Sequence, residues 1–303
     1  MNQDLYNKLV EVLPAEKVLQ DEPMKKHTTF RIGGPADYFV VPATSEEVRA
    51  VVDVCKQMKV PYYILGNGSN LLVSDAGYRG VIIQLYREMS SIVVEGEVIR
   101  AQAGASLAKI ANAALEAGLT GFEFAAGIPG TIGGACVMNA GAYGGEMKDV
   151  LVEVTVLTQE GEILTLANSE LELGYRTSII AKKDYVVLGA VIRLQQGKAE
   201  DIKAIMDDLR EKRVSKQPLE YPSAGSTFKR PEGHFAGKLI QEAGLRGFQV
   251  GGAQVSEKHC GFVINAGDAT ANDVAELMKQ VSEKVEEQFG VTLEPEVKRL
   301  GEF

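Results

Sequence analysis

The sequence lacks a surplus of cations, has few histidines and cysteines, and holds no long apolar run. Its 303 residues carry 32 Lys and Arg against 41 Asp and Glu, a net charge of −9. Binding to nucleic-acid phosphates needs the opposite balance, so no nucleic-acid partner is expected. A nucleotide ligand stays open, because a few local cations and backbone N–H groups can hold one. No apolar stretch approaches the roughly 20 residues of a membrane span, and no membrane insertion is expected. The N-terminal MNQDLYNKLVEVLPAEKV mixes charge through its apolar positions, which predicts an amphipathic helix and not a signal peptide. Cys55, Cys136 and Cys260 lie far apart, with no CxxC and no histidine at metal-ligand spacing. They read as buried free thiols in a reducing compartment, so a cytoplasmic protein without a metal is expected. With only His27, His234 and His259 and no GxSxG, a Ser–His–Asp hydrolase has little support. No GK[ST] follows the glycine-rich turns and no GxGxxG opens a helix, which leaves P-loop and Rossmann sites unsupported.

An apolar content of 45% and a charged content of 24% are those of a globular protein long enough for two or three domains. Residues 28–75 read as strand, helix, strand and glycine-rich turn, an α/β unit. Thr44 to Glu47 has the form of a capping box, followed by Val48, Val51, Val52, Cys55 and Met58 at helical spacing. Short β-branched runs fill 81–104, and a helix from Ser106 should end at Gly118. Residues 121–145 show neither helical nor strand periodicity, and strands return from Val152 to Leu194. QQGKAE, 195–200, reads as a linker. Beyond it, one helix should bury Ile202, Ile205, Met206 and Leu209. A later one, capped by Thr270 and Asp273, should bury Val274, Leu277, Met278, Val281 and Val285.

Several segments could carry chemistry. LGNGSNLLVSD puts Gly66 and Gly68 directly after a strand, where backbone N–H groups can gather on an anion; a plain tight turn reads equally well. GFEFAAGIPGTIGGACVMNAGAYGG is costly to order and contributes few side chains to a core, which a backbone cradle for a flat ligand would explain. The interleaved Phe122, Phe124, Ile128, Ile132, Val137 and Met138 argue against a flexible linker. Arg176 of GYRTSII sits among β-formers, either facing an anion or exposed on an edge strand. Ser226 follows Gly225 in a loop that could expose its hydroxyl, or is a structural serine. Glu294 and Glu296 flank Pro295 near the C-terminus, a functional carboxylate pair or a solvated strand end. Arg210, Lys212, Arg213 and Lys216 cluster where a helix dipole favours cations in any case.

In order, HTTFRIGGPAD, LGNGSNLLVSD, GIPGTIGGACVMNAGAYGGE, YRTS, SAGSTFKRP and LEPEV closely resemble the bacterial UDP-N-acetylenolpyruvoylglucosamine reductase (MurB) flavoproteins, from residue 27 to residue 297. The resemblance implies an α/β and α+β fold of the vanillyl-alcohol-oxidase (PCMH) FAD-binding type. One FAD subdomain would be 1–80 joined by 291–303, a second 81–197, and a C-terminal substrate domain 198–290. It further implies non-covalent FAD, held by Leu65, Gly66, Asn67, Gly68, Ser69, Asn70, Gly127, Pro129, Gly130, Thr131, Gly133, Gly134, Asn139, Gly141 and Ala142. NADPH would be the hydride donor and UDP-N-acetylglucosamine enolpyruvate the substrate.

By the same resemblance Arg176 faces the enolpyruvyl carboxylate, Glu296 assists the enol, and Ser226 gives the proton to C2. The longer class of the family carries an insertion with a tyrosine over the substrate diphosphate. Only 22 residues separate Arg193 from Lys216 here, without a tyrosine, so the chain resembles the shorter class. Arg213, Lys216, Arg230 and Gln249 are then candidates to hold the substrate, and a monomer is expected. The competing readings are a PCMH-type flavoprotein oxidase and a flavin electron-transfer subunit.

Overall fold

A computed structural model describes residues 2–303. The chain folds into two compact units. The first comprises the chain to Leu19, Phe39–Asn67 and Val81–Arg213; the second, Gln20–Tyr38, Gly68–Gly80 and Val214–Phe303. The division between the two falls at residues 213 and 214, within the helix Ala199–Lys216.

In the first unit, the helix Gln3–Val12 is capped by Asn2, whose side chain accepts from the N–H groups of Asp4 and Leu5, and it buries Leu5 and Leu9. It ends earlier than the charge pattern predicts. Pro14 forces the residue before it out of helical geometry, and the chain then runs extended from Val18 to Pro23. Thr44 caps the helix Ser45–Gln57, which buries Val48, Val51, Val52, Val54 and Cys55. Tyr62–Leu65 then pairs in parallel with Val81–Gln84. A five-stranded antiparallel sheet follows, in the order Ile163–Ala167, Leu151–Leu157, Val186–Arg193, Val98–Gln102 and Ile92–Glu95. Its middle strand, VVLGAVIR, is almost continuously apolar, as a strand covered on both faces must be.

Three expectations need correction in this unit. Residues 121–145 are not without regular structure: they hold a short helix, Ile132–Val137, and a hairpin pairing Gly141–Ala142 with Gly145–Glu146. GYRTSII is not a strand but a turn leading into a helical turn at Ile179–Lys182, because Ser178 accepts from the Ala181 N–H and so starts a helix. The helix Ala199–Lys216 buries only Ile202 fully, and Ile205 is 46% exposed. Ion pairs Lys203–Asp207 and Lys212–Asp208 at i,i+4 support that largely solvated helix instead.

The second unit is built on the helix Ala271–Phe289. It buries Ala271, Val274, Leu277, Met278, Val281 and Val285, the predicted stripe with one residue added. These pack with Phe30, Leu72, Leu239, Ile240, Val255 and Val263 in one core. Thr270 and Asp273 form the predicted capping box. Asp75, from LGNGSNLLVSD, also accepts from the Ala271 and Asn272 N–H groups, at 2.8 and 3.1 Å. Leu71–Val73 pairs in parallel with Lys298–Leu300, so the chain end closes onto this segment.

Hydrogen bonds from the backbone N–H groups of Thr270 and Gly252 hold the Asp273 carboxyl below the usual range. A depressed carboxyl stabilises the fold above its unfolded pKa, and that contribution is lost as pH falls through the folded value. Asp273→Ala is therefore expected to cost about 1 kcal/mol at neutral pH. In urea titrations the gap from wild type should shrink as the pH is lowered toward acid.

Candidate active site

Within the first unit, a cleft of about 550 Å³ is lined by Tyr62, Tyr63, Gly66, Thr131, Gly133, Gly134, Val137, Val186 and Val187, among others. The two glycine-rich segments meet there: Asn67 Nδ2 donates to the Pro129 carbonyl at 2.8 Å. Thr131 is buried and caps the Ile132–Val137 helix, accepting from the Gly134 N–H at 3.4 Å. A Cβ at Gly66 would come within 2.6 Å of Thr131 Oγ1, and one at Gly133 within 2.9 Å of Ala103. Those two glycines serve the protein's own packing. A Cβ at Gly134 would meet nothing closer than Thr131 Oγ1 at 3.7 Å, so its bare backbone is left to the cleft. The volume is that of a small-molecule site, and bare backbone beside Tyr63, Val186 and Val187 suits a flat ring and its sugar. The residues present fit part of an extended FAD.

Gly66→Val would press its side chain against Thr131, a crowding worth about 1–3 kcal/mol. It is expected to lower flavin content, read from the flavin-to-protein absorbance ratio of the purified variant. A normal ratio would show that this contact does not shape the cleft.

The other expected cofactor residues of this unit fall nearby in the chain but differ in what they do. Leu65 is buried at the end of its strand, and Gly127, Pro129 and Gly130 form the turn before Thr131. Gly141 and Ala142 belong to the hairpin. Asn139 is buried and fully used inside the protein. Its Nδ2 donates to Glu146 Oε2 at 2.5 Å and to the Gly174 carbonyl at 3.1 Å, and its Oδ1 accepts from Lys148 N at 2.9 Å. It thereby holds the turn that carries Arg176.

That turn is closed by reciprocal backbone bonds between Gly174 and Thr177, at 3.1 and 3.4 Å. Buried Ser178 anchors its far end, donating to the Val137 carbonyl at 2.6 Å. Arg176 sits at φ +55°, in the left-handed region, with its guanidinium 5.3 Å from the centre of the Tyr175 ring. A non-glycine residue held there costs on the order of 1 kcal/mol, and the anchors on either side maintain it.

The remaining half of GNGSN belongs to the second unit. Gly68 has φ +62° and abuts the His27 carbonyl; Ser69 follows in the same turn. Asn70 Nδ2 donates to the Glu296 carbonyl at 3.2 Å, and its own carbonyl accepts from Lys298 N at 3.1 Å. Asn70 thus staples the segment that carries Glu296. LEPEV runs antiparallel to STFK: Glu296 N donates to Thr227 O at 2.8 Å, and Lys229 N to Glu294 O at 2.8 Å. Thr227 is buried, its N–H on the Gly261 carbonyl and its Oγ1 accepting from Val263 N. Exposed Ser226 is therefore one residue from the pairing position of half-buried Glu296. Lys229, 2.7 Å from Glu294, holds that carboxyl below the usual range.

Arg213, in the first unit, packs beside Gly127, where a Cβ would lie 2.8 Å from its Nε, and near the Tyr143 ring at 6.0 Å. Burial lowers its pKa, with Tyr143 opposing the shift. In the second unit Lys216 is exposed at the end of its helix. Arg230 stacks 4.0 Å from the centre of Phe235, and Gln249 Nε2 donates to the Gly251 carbonyl at 2.8 Å. The sequence alone does not reveal Asn70 and Asp75 as staples; their partners lie about 200 residues away in the chain, and no local pattern signals them.

These features define a flavoprotein of the vanillyl-alcohol-oxidase type of FAD-binding fold. Residues 36–167 match the family described as FAD binding domain. A solved alkyldihydroxyacetonephosphate synthase structure shares the fold, with TM-score 0.50, 18% identity, and coverage of 65% of this chain and 41% of that one.

More narrowly, the chain belongs to the UDP-N-acetylenolpyruvoylglucosamine reductase family. Residues 217–300 match that reductase's C-terminal domain. The Agathobacter rectalis reductase is 57% identical over the whole of both chains, and that of Clostridioides difficile 52% identical over 99% of each. The crystal structure of the Thermus caldophilus reductase aligns with TM-score 0.80 and 36% identity, covering 94% of this chain and 98% of that one.

Proposed function

We propose that the chain reduces UDP-N-acetylglucosamine enolpyruvate to UDP-N-acetylmuramate, a step toward peptidoglycan precursors, with FAD as cofactor and NADPH as reductant. The reading is carried by full-length identity of 57% to a curated reductase, with Ser226 next in the chain to Thr227, whose carbonyl accepts from the Glu296 N–H. When bound, FAD supplies to C3 of the enolpyruvyl group the hydride that NADPH provides.

As that bond forms, negative charge grows at C2 and spreads into the carboxylate. Arg176 faces the carboxylate with a guanidinium whose fork matches it. Ser226 Oγ gives its proton to C2, and Glu296 assists the same enol. A serine hydroxyl is a weak acid, but a carbanion-like carbon is a strong base, so a positioned donor suffices. Ser226 needs no histidine, since it loses a proton and never attacks. Arg213, Lys216, Arg230 and Gln249 hold the UDP-sugar. Lys216→Ala is expected to raise KM about 10-fold with little change in kcat, as loss of binding shared by ground and transition states would.

Steady-state turnover tests the reading. NADPH should be consumed only when the enolpyruvyl substrate is present, and the product should be heavier by two hydrogens. NADPH consumption that depends on oxygen instead would replace the reductase with an oxidase.

A further inference from the structure

His259 has no part in the chemistry above, yet its ring is held in one tautomer. The Gly261 N–H donates to Nδ1 at 3.0 Å, so Nδ1 carries no proton and the neutral ring must carry it on Nε2. Nε2 has no hydrogen-bond partner among the described residues. The ring is half-buried, edge-on to Phe262 with centres 5.1 Å apart. Burial, with the charges of Arg246 and Lys216 adding to it, holds the imidazole pKa below the ordinary value. At neutral pH it is an uncharged, oriented donor beside two cations.

Both ends of its loop are fixed. Buried Ser256 accepts from the Lys258 and His259 N–H groups, each at 3.2 Å. Lys258 Nζ reaches the Val214 carbonyl at 2.8 Å, in the last turn of the helix that ends at Lys216. On the other side, the Gly261 carbonyl accepts from Thr227 N at 2.9 Å. The loop is thus tied to the Lys216 end of one element and to the Ser226–Thr227 segment.

We propose that His259 Nε2–H is a hydrogen-bond donor to the diphosphate of the UDP-sugar, acting with Lys216. The inference rests on the proposed function, which supplies the nucleotide. Lys216 has no carboxylate partner among the described residues, so its charge is left to attract an anion. A neutral donor beside it binds a phosphate oxygen without adding a third like charge to the cluster.

Two substitutions separate binding from support of the loop. His259→Asn keeps an acceptor near the Nδ1 position for the Gly261 N–H and removes the outward donor. His259→Gln reaches the Nε2 position with an amide N–H. UDP is titrated into the FAD-loaded enzyme by calorimetry, with the thermal midpoint measured alongside. The Asn variant should bind UDP about 10- to 100-fold more weakly, with an unchanged midpoint, and the Gln variant should regain most of the affinity. Equal UDP affinity in wild type and the Asn variant overturns the proposal. So does an Asn variant of normal affinity beside a Gln variant of lowered midpoint, the pattern of a purely structural histidine. A wild-type enzyme that neither binds UDP nor turns over the enolpyruvyl substrate removes the proposed function itself, and the inference with it.

Discussion

Ser226→Ala should slow reoxidation of reduced flavin by the enolpyruvyl substrate about 10²- to 10⁴-fold, the range for losing a positioned proton donor. NADPH-driven bleaching of the flavin should be nearly unchanged, because no proton passes through Ser226 in that half-reaction. The variant should fold normally. Ser226 is exposed, and the bonds that fix its segment belong to the neighbouring Thr227 and to the backbone. Rapid mixing of each half-reaction separately gives both rates. Equal loss in the two would mean that the serine is not the proton donor.

Arg176→Gly is expected to lower kcat about 10²- to 10³-fold, the usual result of removing a group that meets transition-state charge. Stability should stay within about 1 kcal/mol of wild type, because two effects oppose each other. Glycine relieves the left-handed backbone at φ +55° while loosening the unfolded chain. Preserved melting with lost turnover would assign the guanidinium a chemical purpose. A large fall in melting temperature would instead make Arg176 a structural residue, stacked on Tyr175. Arg176→Lys should recover only part of the rate, because an ammonium cannot offer the bidentate fork.

What the sequence made legible was periodic or local. The stripe of Val274, Leu277, Met278, Val281 and Val285, with Thr270 and Asp273 as its cap, is present as read. Cys55, Cys136 and Cys260 are buried free thiols, and burial pushes the first two up to about 12. Glycine-rich segments do meet at one cleft, but Gly66 and Gly133 face Thr131 and Ala103 rather than open space. Composition alone cannot tell a glycine that admits a ligand from one that admits a neighbouring strand. Arg176 lies on a turn and not on the expected strand: Thr177, Ile179 and Ile180 favour strands, but the local bond to Ser178 starts a helical turn. The link from Asn70 to Glu296 spans 226 residues and depends on how the chain end folds back. Nothing in either segment announces the other.

The central claim is that one chain accepts reducing power from NADPH and passes it to an enolpyruvyl UDP-sugar. An anaerobic titration tests it most directly: one equivalent of NADPH is added to the FAD-loaded protein, followed by UDP-N-acetylglucosamine enolpyruvate. Bleaching of the flavin by NADPH and prompt return of its colour on adding the substrate are the predicted result. Bleaching that persists after the substrate is added would contradict the account, leaving a flavoprotein whose electrons go elsewhere.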